Sequence, residues 1–280
     1  MYFRLVKVFF GALVASADWL DAAAGRLLGI QRGPRLVIIY YHAIRPKLKE
    51  SFAWQMAELS RLTTPLDLGS TTRLSPGKRY SAVTFDDGFI SVVDNALPAL
   101  EKLGIACTIF VPSGSLGSRP KWVKHSHEDG QESVASAELV RDLAAHPLVH
   151  IGSHSVSHPD FRRLDDARVI EEFTASKQTL EQVTGREVTT FSFPHGAYTH
   201  HSLELARQCG YSHVYTIEPR QLTGLDAFTM GRVRVEPCDW PIEFRLKVLG
   251  AYRWMVHASA LKRRLRTLLK GSVSDLPAGA

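Results

Sequence analysis

The chain has 280 residues, of which 45% are hydrophobic and 22% are charged. This length suits one large α/β domain, and the apolar content excludes an intrinsically disordered protein. The formal net charge of +6 is concentrated near the two ends, with no basic stripe interleaved with aromatic residues between them. A nucleic-acid partner is therefore not expected, whereas an anionic membrane surface suits the basic, apolar ends.

The N-terminal segment, residues 1–33, has the pattern of an amphipathic helix. Charged residues and glycines recur every three to four positions among large apolar side chains, which favours a helix lying in the plane of a membrane. A secretory signal peptide ending near Ala17 is an alternative, although its apolar stretch is short. A spanning helix is disfavoured, because Asp18 and Asp21 interrupt the run before about 20 apolar residues are reached.

Short β-rich runs alternate with helical patterns along the rest of the chain. Strands are predicted over residues 36–41, 82–85, 106–111, 149–152, 188–193, 213–217 and 229–235. Helices are predicted over residues 52–62, 92–103, 137–145, 165–183, 202–208 and 241–256. The alternation predicts an α/β fold, with a parallel sheet closed into a distorted (β/α)7 barrel over residues 34–245. Residues 246–280 are expected to form a C-terminal helix and tail with cations at Lys262, Arg263, Arg264, Arg266 and Lys270.

Polar residues directly follow four of the predicted strands. They are His42, Asp86 with Asp87, His154 and His195. Because catalytic groups of such barrels gather at the carboxyl ends of the strands, these residues are predicted to share one site. The polar segment 113–136 is expected to form a long loop over that site.

Two adjacent carboxylates, Asp86 and Asp87, stand in the sequence Thr-Phe-Asp-Asp-Gly. If both are buried and charged, their repulsion raises the pKa of one of them unless a cation compensates. A metal ion removes this conflict, with one carboxylate as its ligand and the other free as a general base. An isolated Asp-Asp-Gly is more often a solvated turn that caps a helix, so the motif needs partners elsewhere in the chain.

Two histidines, His154 and His158, are four residues apart in the sequence Ser-His-Ser-Val-Ser-His-Pro. On one helical turn this spacing directs both imidazoles to the same side, where they chelate a divalent ion. The spacing is weak by itself. Together with Asp87 it gives an Asp-His-His set that leaves coordination positions for water and substrate, as a catalytic metal requires.

These motifs resemble those of the polysaccharide deacetylase family (NodB homology, carbohydrate esterase family 4), and the resemblance extends over roughly residues 35–254. It implies a NodB-type barrel and one divalent metal ion, usually zinc. In that family the first Asp of the Asp-Asp pair is the catalytic base, which is Asp86 here. The resemblance makes Asp87, His154 and His158 the metal ligands.

The family's third motif, Arg-x-Pro-Tyr followed by Gly, is similar to residues 192–196 here. Ser192 stands in place of the arginine that positions the base, so the group that orients Asp86 is left open. By resemblance, the backbone amide of His195 is the oxyanion donor, and the alternative is a structural role for its imidazole.

The sequence Glu-Pro-Cys-Asp-Trp resembles the fourth motif of the family, which forms a wall of the pocket. Asp239 and Trp240 are therefore predicted to bind substrate, with Trp240 stacked on a sugar. The alternative is that Trp240 packs into the core or lies at a membrane interface.

The family's general acid is a histidine that follows an apolar strand. His42 ends such a strand and resembles the members in which this strand comes first, a branch that includes poly-N-acetylglucosamine deacetylases. The C-terminal alternative, His257, lies in a helical pattern. We therefore expect His42 to be the acid.

The sequence thus predicts a metal-dependent hydrolase that removes N-acetyl or other N-acyl groups from amino sugars of a polysaccharide or lipid-linked glycan. Cell-envelope or exopolysaccharide biosynthesis is the expected setting, on the surface of a bacterial inner membrane. Secretion, or a periplasmic location after signal cleavage, is the alternative location. A non-catalytic glycan-binding protein and a small-molecule amidase on the same fold are the competing hypotheses, and no oligomeric state is predicted.

Overall fold

The computed structural model describes residues 1–124, 126 and 128–258. Its parallel strands are β1 Arg35–Tyr41, β2 Thr64–Pro65, β3 Arg79–Phe85, β4 Cys107–Val111, β5 Val149–Ser153, β6 Thr190–Ser192, β7 His213–Thr216 and β8 Thr229–Arg234. Strand β1 pairs with β3 on one side and with β8 on the other, which closes a ring, whereas β2 only adds to the edge of β3. The ring contains seven strands, so the predicted distorted (β/α)7 barrel is confirmed.

The helices of the described residues lie outside this ring. They include α1 Tyr2–Leu27, α2 Lys49–Leu62, α3 Ile90–Asn95, α4 Leu97–Leu103, α5 Ala137–Ala145, α6 Asp166–Thr184, α7 His200–Gln208 and α8 Pro241–Val248. The single helix predicted over 92–103 is wrong, because Pro98 at the start of α4 lacks the N–H that a continuous helix needs. The helix predicted over 241–256 is interrupted after Val248, where Gly250 adopts a left-handed φ of 77°.

Alternate residues of β1 face opposite sides of the barrel wall, and both sides are apolar. Leu36 and Ile38 pack inside the ring with residues of the other strands. Val37 and Ile39 belong to the cluster that joins the wall to the surrounding helices. Burial on both faces explains why the strand is a continuous apolar run in the sequence. It also fixes which positions of each strand point to the interior.

Helix α1 packs on α8 and on the turn Ala251–Arg253. Gly11 of α1 faces Tyr252 and Leu246, and a side chain at this position would lie 3.2 Å from the Tyr252 ring. No helix of the described residues is both long and apolar enough to cross a bilayer. The boundaries at residues 33 and 245 stay predictions, and the cations from Lys262 onward lie outside the described residues.

Candidate active site

The carboxyl ends of the strands form one rim of the barrel, called the carboxyl rim below, and a cavity of ≈ 660 Å³ opens there. Six of the residues predicted for the site line this cavity: His42, Asp86, Asp87, His154, His158 and His195. The lining does not include Asp239 or Trp240. The structure therefore brings together the residues that follow the strands, as the barrel rule requires.

The buried side chains of Asp87, His154 and His158 form a compact set of possible metal ligands. Their ligand atoms all lie within 4.8 Å of one another. Asp87 Oδ1 lies 3.2 Å from Nε2 of His158 and 3.6 Å from Nε2 of His154, yet it accepts a hydrogen bond from none of the described residues. An unsatisfied buried carboxylate oxygen is costly, and a divalent cation among these three atoms would satisfy it. The residues present fit a divalent metal ion.

The surroundings of the His154 imidazole favour the tautomer and the neutral state that a metal ligand needs. Its Nδ1 lies 2.8 Å from the backbone carbonyl oxygen of Ser192, so Nδ1 carries the proton and Nε2 is left free for a metal. Burial lowers the pKa of His154 to about 4. The ring is therefore neutral at neutral pH, as a metal ligand must be.

This lowered pKa predicts how the stability of the metal-free protein depends on pH. The unfolded imidazole titrates near pH 6.5, so between pH 6.5 and 4 the unfolded chain binds a proton that the folded chain does not. The free energy of unfolding should fall by about 3 kcal/mol as the pH decreases through this window. Urea unfolding of chelator-treated protein measures it. The His154→Gln variant should lack this part of the pH dependence, and equal pH profiles for both proteins would contradict the prediction.

The segment from His154 to His158 is a loop, so the expectation of a shared helical turn is wrong. Ser155 and His158 have positive φ angles of 71° and 57°, which no α-helix contains. Glu172 of α6 instead accepts hydrogen bonds from the backbone N–H groups of residues 156 and 157, at 2.8 and 2.9 Å. This buried carboxylate holds the loop in the shape that directs both imidazoles to Asp87.

Unusual backbone conformations are concentrated at the site. The non-glycine residues with positive φ among those described are Asp87, Ser155, His158 and His195. Three of them line the cavity and Ser155 lies between the two histidines. Such conformations cost about 1–3 kcal/mol each and persist where the surrounding structure imposes them, most often at functional sites.

An arginine that the sequence analysis missed holds Asp86. Arg232 of β8 is fully buried and donates to Oδ1 and Oδ2 of Asp86, both at 2.8 Å. Ser192 Oγ accepts from Arg232 at 2.7 Å and donates to Asp86 at 3.2 Å. Burial raises the pKa of Asp86, but Arg232 and the nearby imidazoles outweigh it, so the pKa lies below its usual value and the carboxyl group is ionised.

The sequence from residue 73 to residue 214 matches the family model described as polysaccharide deacetylase. The chain belongs to the polysaccharide deacetylase family. Membership makes it a hydrolase of the deacetylase class and implies an N-acetylated glycan as substrate.

Two relatives share this assignment by name. The chain is 26% identical over 219 residues to YxkH of Bacillus subtilis (strain 168), named for the same family, and the match covers 74% of each protein. It is 28% identical over 117 residues to the peptidoglycan-N-acetylglucosamine deacetylase PgdA of Listeria monocytogenes serotype 1/2a. That second match covers 41% of this chain but only 21% of PgdA.

Two solved structures have the same fold. IcaB from Ammonifex degensii superposes with a TM-score of 0.65 at 24% identity, over 79% of this chain and 98% of that one. The Streptococcus pyogenes deacetylase PplD, solved in complex with acetate, superposes with a TM-score of 0.60 at 19% identity. This match covers 74% of this chain and 94% of that one. At these identities the likeness shows the fold alone.

The position of Arg232 in this deacetylase follows from the strand register. Strand β1 lies between β8 and β3, with Ile38 opposite both Arg232 and Ala82. Met230, two residues before Arg232, is packed inside the ring. The signal in the sequence was a cation at an inward position of a mostly apolar strand, since a buried cation needs an anion beside it. Arg232 of β8 thus contacts Asp86, whereas the position of the family's arginine holds Ser192.

The described residues of the segment 113–136 form the long loop predicted over the mouth, and this loop adds an aromatic residue to the lining of the cavity. Trp122 lines the cavity and stacks on His158, with ring centroids 4.3 Å apart and planes 13° from parallel. Other loop residues in the lining are Val123, Lys124, Ser126 and Asp129. The stacking fixes the orientation of His158, a contact that no local pattern in the sequence reveals.

The two other histidines of the lining differ in their surroundings. The Nδ1 atom of His42 is buried and makes no hydrogen bond with the described residues. His195 is exposed, and its ring meets the ring of His158 edge-on, with centroids 4.5 Å apart. His257 is also exposed but does not line the cavity. Their chemical roles stay predictions.

Asp239 and Trp240 are placed away from the cavity of the deacetylase. Asp239 accepts from Lys247 Nζ at 2.6 Å and from the backbone N–H of Glu236 at 3.1 Å. The Trp240 ring lies under the guanidinium group of Arg4, 4.5 Å from its centroid. The contact with Arg4 joins α1 to the start of α8, so the packing interpretation of Trp240 is favoured over the stacking of a sugar in this cavity.

Proposed function

We propose that this protein is a metal-dependent hydrolase that removes N-acetyl groups from amino sugars of a cell-envelope polysaccharide or lipid-linked glycan. The observation that carries the proposal is the unsatisfied oxygen of Asp87 between His154 and His158, adjacent to the ionised Asp86. Zinc is the metal expected of a site with two imidazoles and one carboxylate.

Asp86 is suited to accept a proton from the attacking water. A divalent metal held by Asp87, His154 and His158 would supply Lewis-acid polarisation of the acyl oxygen and would acidify water. Arg232 and Ser192 donate three hydrogen bonds to Asp86. A carboxylate has about four acceptor positions, so one remains for the water. Arg232 also fixes the plane of the carboxylate, which orients that position.

The leaving amine must gain a proton before it departs. His42 lines the same cavity as Asp86, and its imidazole is the proposed general acid. The backbone N–H of His195 is the proposed donor to the oxyanion. Two titratable groups of one cavity thus have opposite proposed roles: Asp86 accepts a proton and His42 donates one.

An extended substrate suits the shape of the rim. A second cavity of ≈ 430 Å³ shares His42, Ser126, Asp129 and Arg234 with the first and extends to Cys238. The two together form a depression open along the rim, which favours an oligomer or a conjugated sugar over a small isolated amide. The name of PgdA supports N-acetylglucosamine as the sugar.

Acetate release tests the proposal. Purified protein loaded with zinc should release acetate from N-acetylglucosamine oligomers, peptidoglycan fragments or a lipid-linked N-acetylated sugar. Release from none of these, by a protein that holds about one metal ion per chain, would overturn the proposed activity. Tight glycan binding without release would favour the glycan-binding hypothesis.

Replacing His42 separates its role from that of His257. His42→Asn should lower kcat by about 10²–10⁴-fold with unchanged metal content, because the amine then leaves without a proton donor. His257→Asn is the matched control and should keep full activity. An activated aryl acetate, whose leaving group needs no protonation, should be hydrolysed by His42→Asn at close to the wild-type rate. An equal loss on both substrates would exclude His42 as the acid.

A further inference from the structure

The side of α1 that points away from the barrel is apolar along the whole helix. Its exposed large side chains are Tyr2, Phe3, Leu5, Phe9, Phe10, Leu13, Trp19, Leu20 and Leu27, called the outward face below. Leu27 is 88% exposed and Trp19 is 68% exposed. With 26 residues, the helix is about 39 Å long. A continuous apolar surface of this length on a protein marks an interaction site.

Two of the five charged residues of α1, Arg4 and Asp18, are directed toward the protein, whereas Lys7, Asp21 and Arg26 are exposed. Arg4 forms an ion pair with Glu243 and lies 3.6 Å from Asp239. Asp18 accepts from Arg253 at 2.6 and 2.8 Å. With Gly11 close against α8, these contacts fix the rotation of α1. The outward face cannot turn into the core without breaking two ion pairs.

The charges around the outward face favour anionic lipid over a second copy of the chain. Lys7 and Arg26 are exposed at the margins of the helix. Trp254 contacts Phe10, with ring centroids 5.1 Å apart. Two copies facing each other would bring the like charges of Lys7 and Arg26 together. Anionic headgroups would neutralise them, and each nearby cation strengthens such binding.

The direction of α1 determines where its outward face lies relative to the cavity at the carboxyl rim. Arg4, near the start of the helix, donates to the carbonyl oxygen of Cys238 at 3.0 Å. Cys238 follows β8 and lines the second cavity, at the carboxyl rim. At the other end of the helix, Asp18 and Asp21 lie within 3.7 Å of Arg35, where β1 begins. Helix α1 therefore runs along the side of the barrel from the carboxyl rim to the opposite end.

We propose that the outward face of α1 lies in the surface of an anionic phospholipid bilayer. The barrel then rests on its side, and the cavities at the carboxyl rim open along the membrane next to the headgroups. A substrate anchored in the same membrane reaches Asp86 without leaving the surface. The proposal concerns α1 and does not depend on the identity of the reaction.

Vesicle sedimentation with the full chain tests this placement. Wild-type protein should pellet with vesicles of phosphatidylglycerol and phosphatidylcholine, and much less with phosphatidylcholine alone. The triple variant Phe9→Glu, Leu13→Glu, Leu20→Glu should bind the anionic vesicles at least about tenfold more weakly. Ile170→Glu, which changes an exposed apolar residue of α6, is the matched control and should bind like wild type.

A second measurement does not depend on the folding of the triple variant. Trp19 lies on the outward face, so lipids with brominated acyl chains should quench part of the wild-type fluorescence, and Trp19→Phe should lose that part. Wild-type protein that stays in the supernatant, or quenching unchanged in Trp19→Phe, would overturn the proposal. A stable dimer in light scattering that the triple variant dissociates would assign the face to a second copy instead.

Discussion

Arg232→Met is expected to lower the free energy of unfolding by about 3–5 kcal/mol, because it leaves the charge of Asp86 buried without its partner. Asp86→Asn should also destabilise the protein, since it leaves the buried guanidinium group without a carboxylate. The double variant Arg232→Met, Asp86→Asn removes both charges. It should be more stable than the sum of the two single changes predicts, and urea denaturation of the four proteins measures this coupling.

Ser192→Ala is the control for this cycle. It removes the hydrogen bond to Asp86 and the one from Arg232 but leaves the ion pair in place, so at about 0.5–1.5 kcal/mol for each bond it should cost about 1–3 kcal/mol. Additive costs for Arg232→Met and Asp86→Asn would contradict the interpretation, because they would mean that the two side chains do not depend on each other. The cycle also gives a protein without the proposed catalytic base whose fold is not weakened by an unpaired charge.

Removing a metal ligand is expected to have the second largest effect. His158→Ala should abolish stoichiometric zinc binding and lower kcat/KM by at least about 10³-fold, because a catalytic metal needs three protein ligands. Chelation of the wild-type protein should have the same effect on activity, and added zinc should reverse it. Metal analysis of the purified proteins and competition with a zinc indicator measure the binding.

Two further variants show whether the loss of zinc binding and activity in His158→Ala arises at the ligand set. His201→Ala removes an exposed histidine on α7 that pairs with Asp166, and it should keep both metal and activity. Glu172→Gln weakens the acceptor that holds the loop between the two ligand histidines, so it should weaken zinc binding by about 10–100-fold. Full zinc occupancy and activity in His158→Ala would refute the assigned ligand set.

The barrel and most of its site residues were predictable because they depend on local patterns. Most strands of the ring are short, mainly apolar runs, and the residues that follow them lie at the carboxyl rim wherever the parallel sheet closes. The positions of His42, Asp86 and His195 follow from this rule alone. The backbone conformation of the 154–158 loop could not be predicted from the local pattern, because it depends on Glu172, a residue of the next helix.

The contacts of Asp86 could not be predicted without knowing the register of the strands. Arg232 is 146 positions away in the sequence and reaches Asp86 only because β1 pairs with both β3 and β8. The stacking of Trp122 on His158 likewise depends on the path of a long loop. The contact of Trp240 with Arg4 was missed for a related reason. The motif of Trp240 follows β8, but the chain there turns toward α1, where Arg4 covers the indole ring.

The most direct measurement compares acetate release by the zinc-loaded wild-type protein with that of the double variant Arg232→Met, Asp86→Asn. Our account predicts that both proteins are folded and hold one zinc ion through Asp87, His154 and His158, and that only the wild type releases acetate from N-acetylated glycans. Substantial release by the double variant would contradict the assignment of Asp86 as the catalytic base. A wild-type protein that binds zinc and releases no acetate from any N-acetylated glycan would contradict the proposed reaction itself.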